Sequence, residues 1–233
     1  MNLKQLFFFD CEYVPIVKQF SDLKTEFPEL YDSWHRRCKK WNDDRNILEE
    51  EPLSDETFWK REAHKMSEFL KTICISFGYL GKDGQFKIGS FYDNNEVEIL
   101  KLFNQLLDNV SKKGMVLSGY SIKRYDMPFL AKRMTINNIK PSEMLNVYGK
   151  KPWDVNVYDL IEVWGQGCHG ESYTPFDICL TVNKVVTSKD DISGYEVKKV
   201  YYNEGRSGLE RIKDYCEKDV KASYDLALKF NSL

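Results

Sequence analysis

Long hydrophobic runs are missing from this chain of 233 residues. The apolar start, Leu6-Phe7-Phe8-Phe9, is broken at once by Asp10, which is too short for an export signal, and no stretch approaches membrane-spanning length. Glycine and proline are sparse, at 13 and 7, which excludes collagen-like and low-complexity classes. Charge of one sign is also lacking: 34 Lys and Arg meet 36 Asp and Glu, a net charge of -2. That balance excludes a protein that holds nucleic acid by bulk positive charge, but leaves room for a local basic groove. The six cysteines contain no C-x-x-C pair. Cys168-His169 has no second pair at ligand spacing, so a zinc site is rejected. Most cysteines sit in apolar runs and read as small reduced hydrophobes, with no structural disulfide. A cytoplasmic location is expected.

What is present suits one folded domain over residues 1–233, large enough to bury its core without staples. Residues 6–9 read as a buried strand ending at Asp10. Residues 18–70 read as a charged helical insertion, with Arg36, Arg37, Lys39 and Lys40 between Trp34 and Trp41. Its tryptophans either pack inward or stack bases between cations. A hairpin over residues 72–92 turns at Asp83-Gly84. Ile99, Leu100, Phe103, Leu106 and Leu107 have helical spacing. Residues 115–119 and 155–158 read as strands, the second running into Asp159, which can cap the next helix or support a site. Thr174-Pro175-Phe176-Asp177 predicts a helix capped by Thr174, and residues 207–230 predict a long closing helix after Gly205. A hairpin followed by alternating strands and helices predicts an α/β fold with a central mixed sheet flanked by helices.

Four carboxylates stand out against this frame. Asp10 and Glu12 are two apart on a strand, hence on one face. Such a pair repels unless a cation lies between them. Asp126 precedes a helix just beyond a strand, and Asp219 lies one helical turn after Tyr215.

Phe-Phe-Phe-Asp-Cys-Glu (7–12), Gly-Tyr-Ser-Ile-Lys-Arg-Tyr-Asp (119–126) and Tyr-Cys-Glu-Lys-Asp-Val (215–220), in that order, resemble the three motifs of the DEDD exonuclease superfamily. Tyr215, ahead of Asp219, is similar to the tyrosine branch. With Lys151-Pro152-Trp153-Asp154 and the segment at 188–194, the chain most resembles the predicted 3′–5′ exonucleases related to the exonuclease domain of family B DNA polymerases. One position departs: Ser121 stands where relatives often have Asn.

The resemblance implies a ribonuclease H-like fold and 3′–5′ hydrolysis of nucleic acid, DNA favoured, by two divalent ions, Mg²⁺ or Mn²⁺. Asp10 would bridge both ions. Glu12 and Asp219 would complete the site of the ion that activates water, and Asp126 would hold the ion nearer the leaving oxygen. Tyr215 would orient the water, since its ordinary pKa of ~10 makes it a poor base at neutral pH. Ser121, Lys123 and Arg124 would bind substrate, with Lys132 and Arg133 guiding it. The implied partner is a nucleic acid with a 3′ end, single-stranded. A proofreading role implies a polymerase or repair partner in trans. Two alternatives stay open: a binding module of the same fold without catalysis, and an endonuclease or hybrid hydrolase.

Overall fold

The computed structural model describes residues 2–166, 174–187 and 191–232. Its strands are β1 (Leu6–Pro15), β2 (Leu70–Leu80), β3 (Phe86–Tyr92), β4 (Val116–Gly119) and β5 (Val157–Asp159). The main helices are α1 (Phe20–Glu26), α2 (Pro28–Ile47), α3 (Asp55–Glu62), α4 (Glu96–Lys112), α5 (Asp126–Ile136), α6 (Leu160–Trp164), α7 (Phe176–Val182) and α8 (Val197–Asn231). The strands form one five-stranded sheet in the order β3-β2-β1-β4-β5. β2 and β3 are antiparallel, while β1–β4 and β4–β5 are parallel. This is the mixed sheet that the alternation of hairpin, strands and helices implies, and the strands of residues 6–9 and 115–119 are neighbours in it.

The chain divides into two compact units, Met1–Tyr13 with Thr72–Leu233, and Val14–Lys71. The second has its own aromatic core of Val17, Leu23, Trp34, Phe58, Trp59 and Phe69. Trp34 is buried edge-on against Trp59 and Phe69, and its Nε1 donates to the Asp55 carbonyl at 3.1 Å. Trp41 packs on Phe58 and carries the Arg37 guanidinium over its ring. Of the two readings of these tryptophans, packing inward is the one realised.

In the first unit, strand alternation divides β1 between two cores. Leu6 and Phe8 join Val220, Tyr224 and Leu226 of α8, with Phe8 edge-on to Tyr224. Phe7 stacks on Phe77 of β2, and Phe9 leans on Phe103 of α4. Leu6 pairs with Val116 and Phe8 with Ser118, while Gly119 pairs with Asp159. The parallel strands β4 and β5 therefore end side by side next to the middle of β1, which runs on past them through Asp10 and Glu12 to Pro15, at the edge where α/β sheets place their ligands. Gly119 permits the close approach. A Cβ there would lie 2.7 Å from the Phe9 carbonyl and 2.5 Å from Ile122.

Helix α8 is longer than the expected closing helix. It runs through Gly205, whose backbone is non-helical (φ 59°, ψ -133°), so a bend rather than an end marks that glycine. The α7 start differs too. Pro175, not Thr174, occupies the cap position, and Thr174 Oγ1 instead receives Trp164 Nε1 at 3.2 Å. Among the described residues no helix is long and apolar enough to cross a membrane. Cys11, Cys38, Cys74, Cys179 and Cys216 are free thiols. Cys168 and His169 lie outside the described residues, as do Ser188, Lys189 and Asp190 of the 188–194 segment.

Arg133 corrects one expectation. It is buried on α5, where its Nε and Nη2 fork onto Glu96 of α4 at 2.9 and 2.6 Å. It cannot also meet a phosphate. Glu96 further accepts from Thr72 N at 2.7 Å and Asn137 Nδ2 at 3.0 Å, tying α4, α5 and the start of β2. Removing one partner of a buried pair strands the other's charge. Arg133→Met is therefore expected to cost about 3 kcal/mol in urea unfolding, with Glu96→Gln/Arg133→Met recovering part of it. A loss below about 1 kcal/mol would mean that the fork contributes nothing beyond a surface pair.

Candidate active site

The alternation that buries Phe8 continues past the end of the apolar run. Asp10 and Glu12 follow the face that packs on α8, and Cys11 and Tyr13 follow the face that packs on α4 and α5. Partners confirm this: Cys216 Sγ of α8 donates to Asp10 Oδ2 at 3.4 Å and to its carbonyl at 3.5 Å. On the other face Cys11 Sγ donates to Asp126 Oδ1 at 2.9 Å, and the Tyr13 ring lies 4.5 Å from that of Phe129.

Ligand atoms of Asp10, Glu12 and Cys216 all lie within 4.8 Å of one another. Tyr215 is beside them. Burial, then the charges of Asp219, Glu12 and Asp10, hold its phenol well above the ordinary tyrosine range. Gly194 lies over this hydroxyl, 3.7 Å from where a Cβ would sit. Asp219, one turn on, is buried and hydrogen-bonded with Tyr215. Asp10, Glu12, Tyr215 and Asp219 are thus gathered on the α8 face. Asp126 stands outside the tight three-residue group, at the first turn of α5, held by Cys11. Burial pushes its carboxyl up to about 7, against the opposing bond from Cys11. The two sets remain within electrostatic reach: Asp126, Asp10 and Glu12 all raise both Cys11 and Tyr13, after burial itself.

The β4–α5 turn carries the other candidates. Ser121 is buried in left-handed backbone (φ 63°), and its Oγ has no hydrogen-bond partner among the described residues. Lys123 Nζ is paired with Glu162 of α6 at 2.6 Å, and the Arg124 guanidinium lies over the Tyr125 ring. Asp159 both caps α6 and reaches across to this turn.

The donor set fits a hard divalent cation. Two carboxylates this close repel in the absence of a cation, and their charge adds to burial, the larger cause, in raising the neighbouring phenols and thiols. Cys216 is raised well above the ordinary thiol range by burial, so it acts as a hydrogen-bond donor to Asp10, leaving the oxygens as ligands.

Sequence reasoning passed over Cys11, Tyr13 and Cys216. Their signal was adjacency: each neighbours a singled-out residue on an element of known period. The two cysteines were read instead as small reduced hydrophobes, and Tyr13 was not singled out.

Residues 62–233 match the family described as "Predicted 3'-5' exonuclease related to the exonuclease domain of PolB". The chain belongs to this family. The match takes in Asp126, Asp159, Tyr215 and Asp219, while Asp10 and Glu12 precede it. Among solved structures, the family B DNA polymerase from the hyperthermophilic archaeon Pyrobaculum calidifontis is similar, with a TM-score of 0.55 and 13% identity. The likeness covers 97% of this chain and 24% of the polymerase. The predicted-exonuclease chain thus spans about a quarter of that polymerase's length, and shares its ribonuclease H-like exonuclease fold. No curated protein sequence matches the chain.

Proposed function

We propose that the chain is a metal-dependent 3′–5′ exonuclease acting on nucleic acid, with single-stranded DNA as the favoured substrate. The observation that carries this reading is the meeting of Asp10 and Glu12, in the middle of β1, with Tyr215 and Asp219 of α8. Asp10, Glu12, Asp126 and Asp219 would hold two divalent ions, Mg²⁺ or Mn²⁺. Such ions supply charge neutralisation and activation of water and of the leaving oxygen.

The chain's own groups do the rest. Asp10 is steered by the Cys216 thiol, and Asp126 by the Cys11 thiol. Tyr215 keeps its proton at neutral pH, because burial and three nearby carboxylates disfavour the phenolate. It therefore orients a water by its hydroxyl and does not take a proton from it. Ser121 would offer a buried hydroxyl at the β4–α5 turn, and Lys123, on release from Glu162, and Arg124 would bring positive charge to the substrate there. We take the chain as one exonuclease domain that carries the 18–70 block as an insertion. A polymerase or repair protein acting in trans would supply a proofreading context.

The test is digestion of 3′-labelled and 5′-labelled DNA and RNA oligomers, linear and circular, in Mn²⁺. A 3′ label released first as mononucleotide, with circles untouched, is expected. Cleavage of circles would instead favour an endonuclease. Binding without cleavage in any divalent ion would favour a non-catalytic module.

A further inference from the structure

We propose that Asp159 is a positioning residue for the hydrolysis: it holds the β4–α5 turn in the one conformation that presents Ser121 and Asp126 to the site. The proposal rests on the exonuclease reading above for the chemistry, but on the geometry of the turn for the role.

Asp159 ends β5 and is 2% exposed. Its Oδ1 accepts from Ser121 N at 2.6 Å and, at 3.3 Å, from Ile161 N of its own helix. Its Oδ2 accepts from Lys123 N at 2.9 Å. One carboxylate thus satisfies two amides of a turn almost forty residues away in sequence. The neighbouring Glu162 takes the Lys123 ammonium at 2.6 Å. The β5–α6 corner therefore grips the turn through both backbone and side chain.

The grip matters because of what the turn contains. Ser121 has a φ of 63°, a left-handed conformation that costs a residue with a Cβ energy unless its surroundings enforce it. The shortest of the Asp159 bonds is made by that residue's own amide. Gly119, two residues before, runs so near the Phe9 carbonyl that a Cβ there would come within 2.7 Å of it, which leaves the turn little room toward β1. Downstream, the Met127 amide donates to the Ile122 carbonyl at 2.9 Å, so the path set at 121–123 fixes where α5 and Asp126 begin. A purely local cap would need Oδ1 alone.

This division between the oxygens provides the discriminating variant. Asparagine is as good an N-cap as aspartate. Asp159→Asn keeps Oδ1 for Ser121 and Ile161 but sets an amide NH₂ against the Lys123 N–H. Should Asp159 only cap α6, Asp159→Asn would match wild type throughout. Should it position the turn, the variant is expected to melt close to wild type, keep KM within about threefold, and lose about 10- to 100-fold in kcat, the scale of an ångström-level misplacement. Its Lys123 amide should also exchange faster with solvent, with Mn²⁺ affinity reduced. Asp159→Ala, which removes every bond, serves as the destabilised reference.

Unchanged Lys123 exchange in Asp159→Asn overturns the proposal whatever the activity. Wild-type kcat in that variant does so too. If wild-type protein cleaves nothing, the exonuclease reading fails by itself. Exchange at Lys123 and Mn²⁺ affinity then still decide whether Asp159 sets the turn.

Discussion

Asp10→Ala is expected to abolish cleavage, by about 10³-fold or more, and to remove the thermal shift that Mn²⁺ produces in wild type. Asp10 has partners on both sides of the site. It shares the tight group with Glu12, receives the Cys216 thiol and contributes to the displaced titration of Cys11, Tyr13 and Tyr215. Removing it should also lift the metal-free protein's stability, because Glu12 and Asp219 then lose a repelling neighbour. A gain of about 1 kcal/mol corresponds to about 2–4 °C in a domain of this size. The two opposite signs make the prediction specific: apo melting rises while the metal response vanishes. Differential scanning fluorimetry with and without Mn²⁺ reads both, and single-turnover cleavage reads the third effect. Full activity in Asp10→Ala would sink the site assignment. A fall in apo stability would show that Asp10 serves the fold instead.

Most of what bears on chemistry was legible because strands and helices have short periods. The interval of two between Asp10 and Glu12, and of four between Tyr215 and Asp219, is local information, and each pair keeps its face in the fold. The central mixed sheet followed from a hairpin succeeded by alternating strand and helix patterns. Contacts between elements were not legible. Arg133 looked like one more cation beside the Asp126 motif, and only the packing of α5 on α4 reveals Glu96 opposite it. Asp159 could be read as a helix cap, which it is, but its bonds to Ser121 and Lys123 depend on β5 lying beside β4. Cysteine was misjudged for a different reason. Cys11 and Cys216 are as buried as small hydrophobes, yet each aims its weak S–H donor at a carboxylate, a direction that composition does not encode. The end of α8 was placed correctly and its start was not, because Gly205 bends the helix where glycine more often stops one.

Tyr215→Phe separates orientation of water from binding of metal. The substitution keeps the ring and its packing and removes one hydroxyl, whose proton burial and the charges of Asp219, Glu12 and Asp10 hold in place. Metal affinity is expected to stay within about twofold of wild type, since no ligand is lost. The chemical step should slow by about one to three decades, the range over which positioned polar groups act. The raised phenol also fixes the sign of the pH response. A group whose pKa lies far above neutrality is protonated throughout the working range, so the wild-type rate should show no loss attributable to Tyr215 as pH rises from 7 to about 10. Were Tyr215 a general base, activity would instead climb with phenolate across that range, and Tyr215→Phe would flatten the climb. Rapid-quench single-turnover cleavage of a 3′-labelled single strand, measured across pH for both proteins with metal affinity titrated separately, reads all of these. Equal rates in the two proteins when chemistry is limiting would remove Tyr215 from the mechanism. A rate that tracks phenolate in wild type alone would replace orientation with proton abstraction.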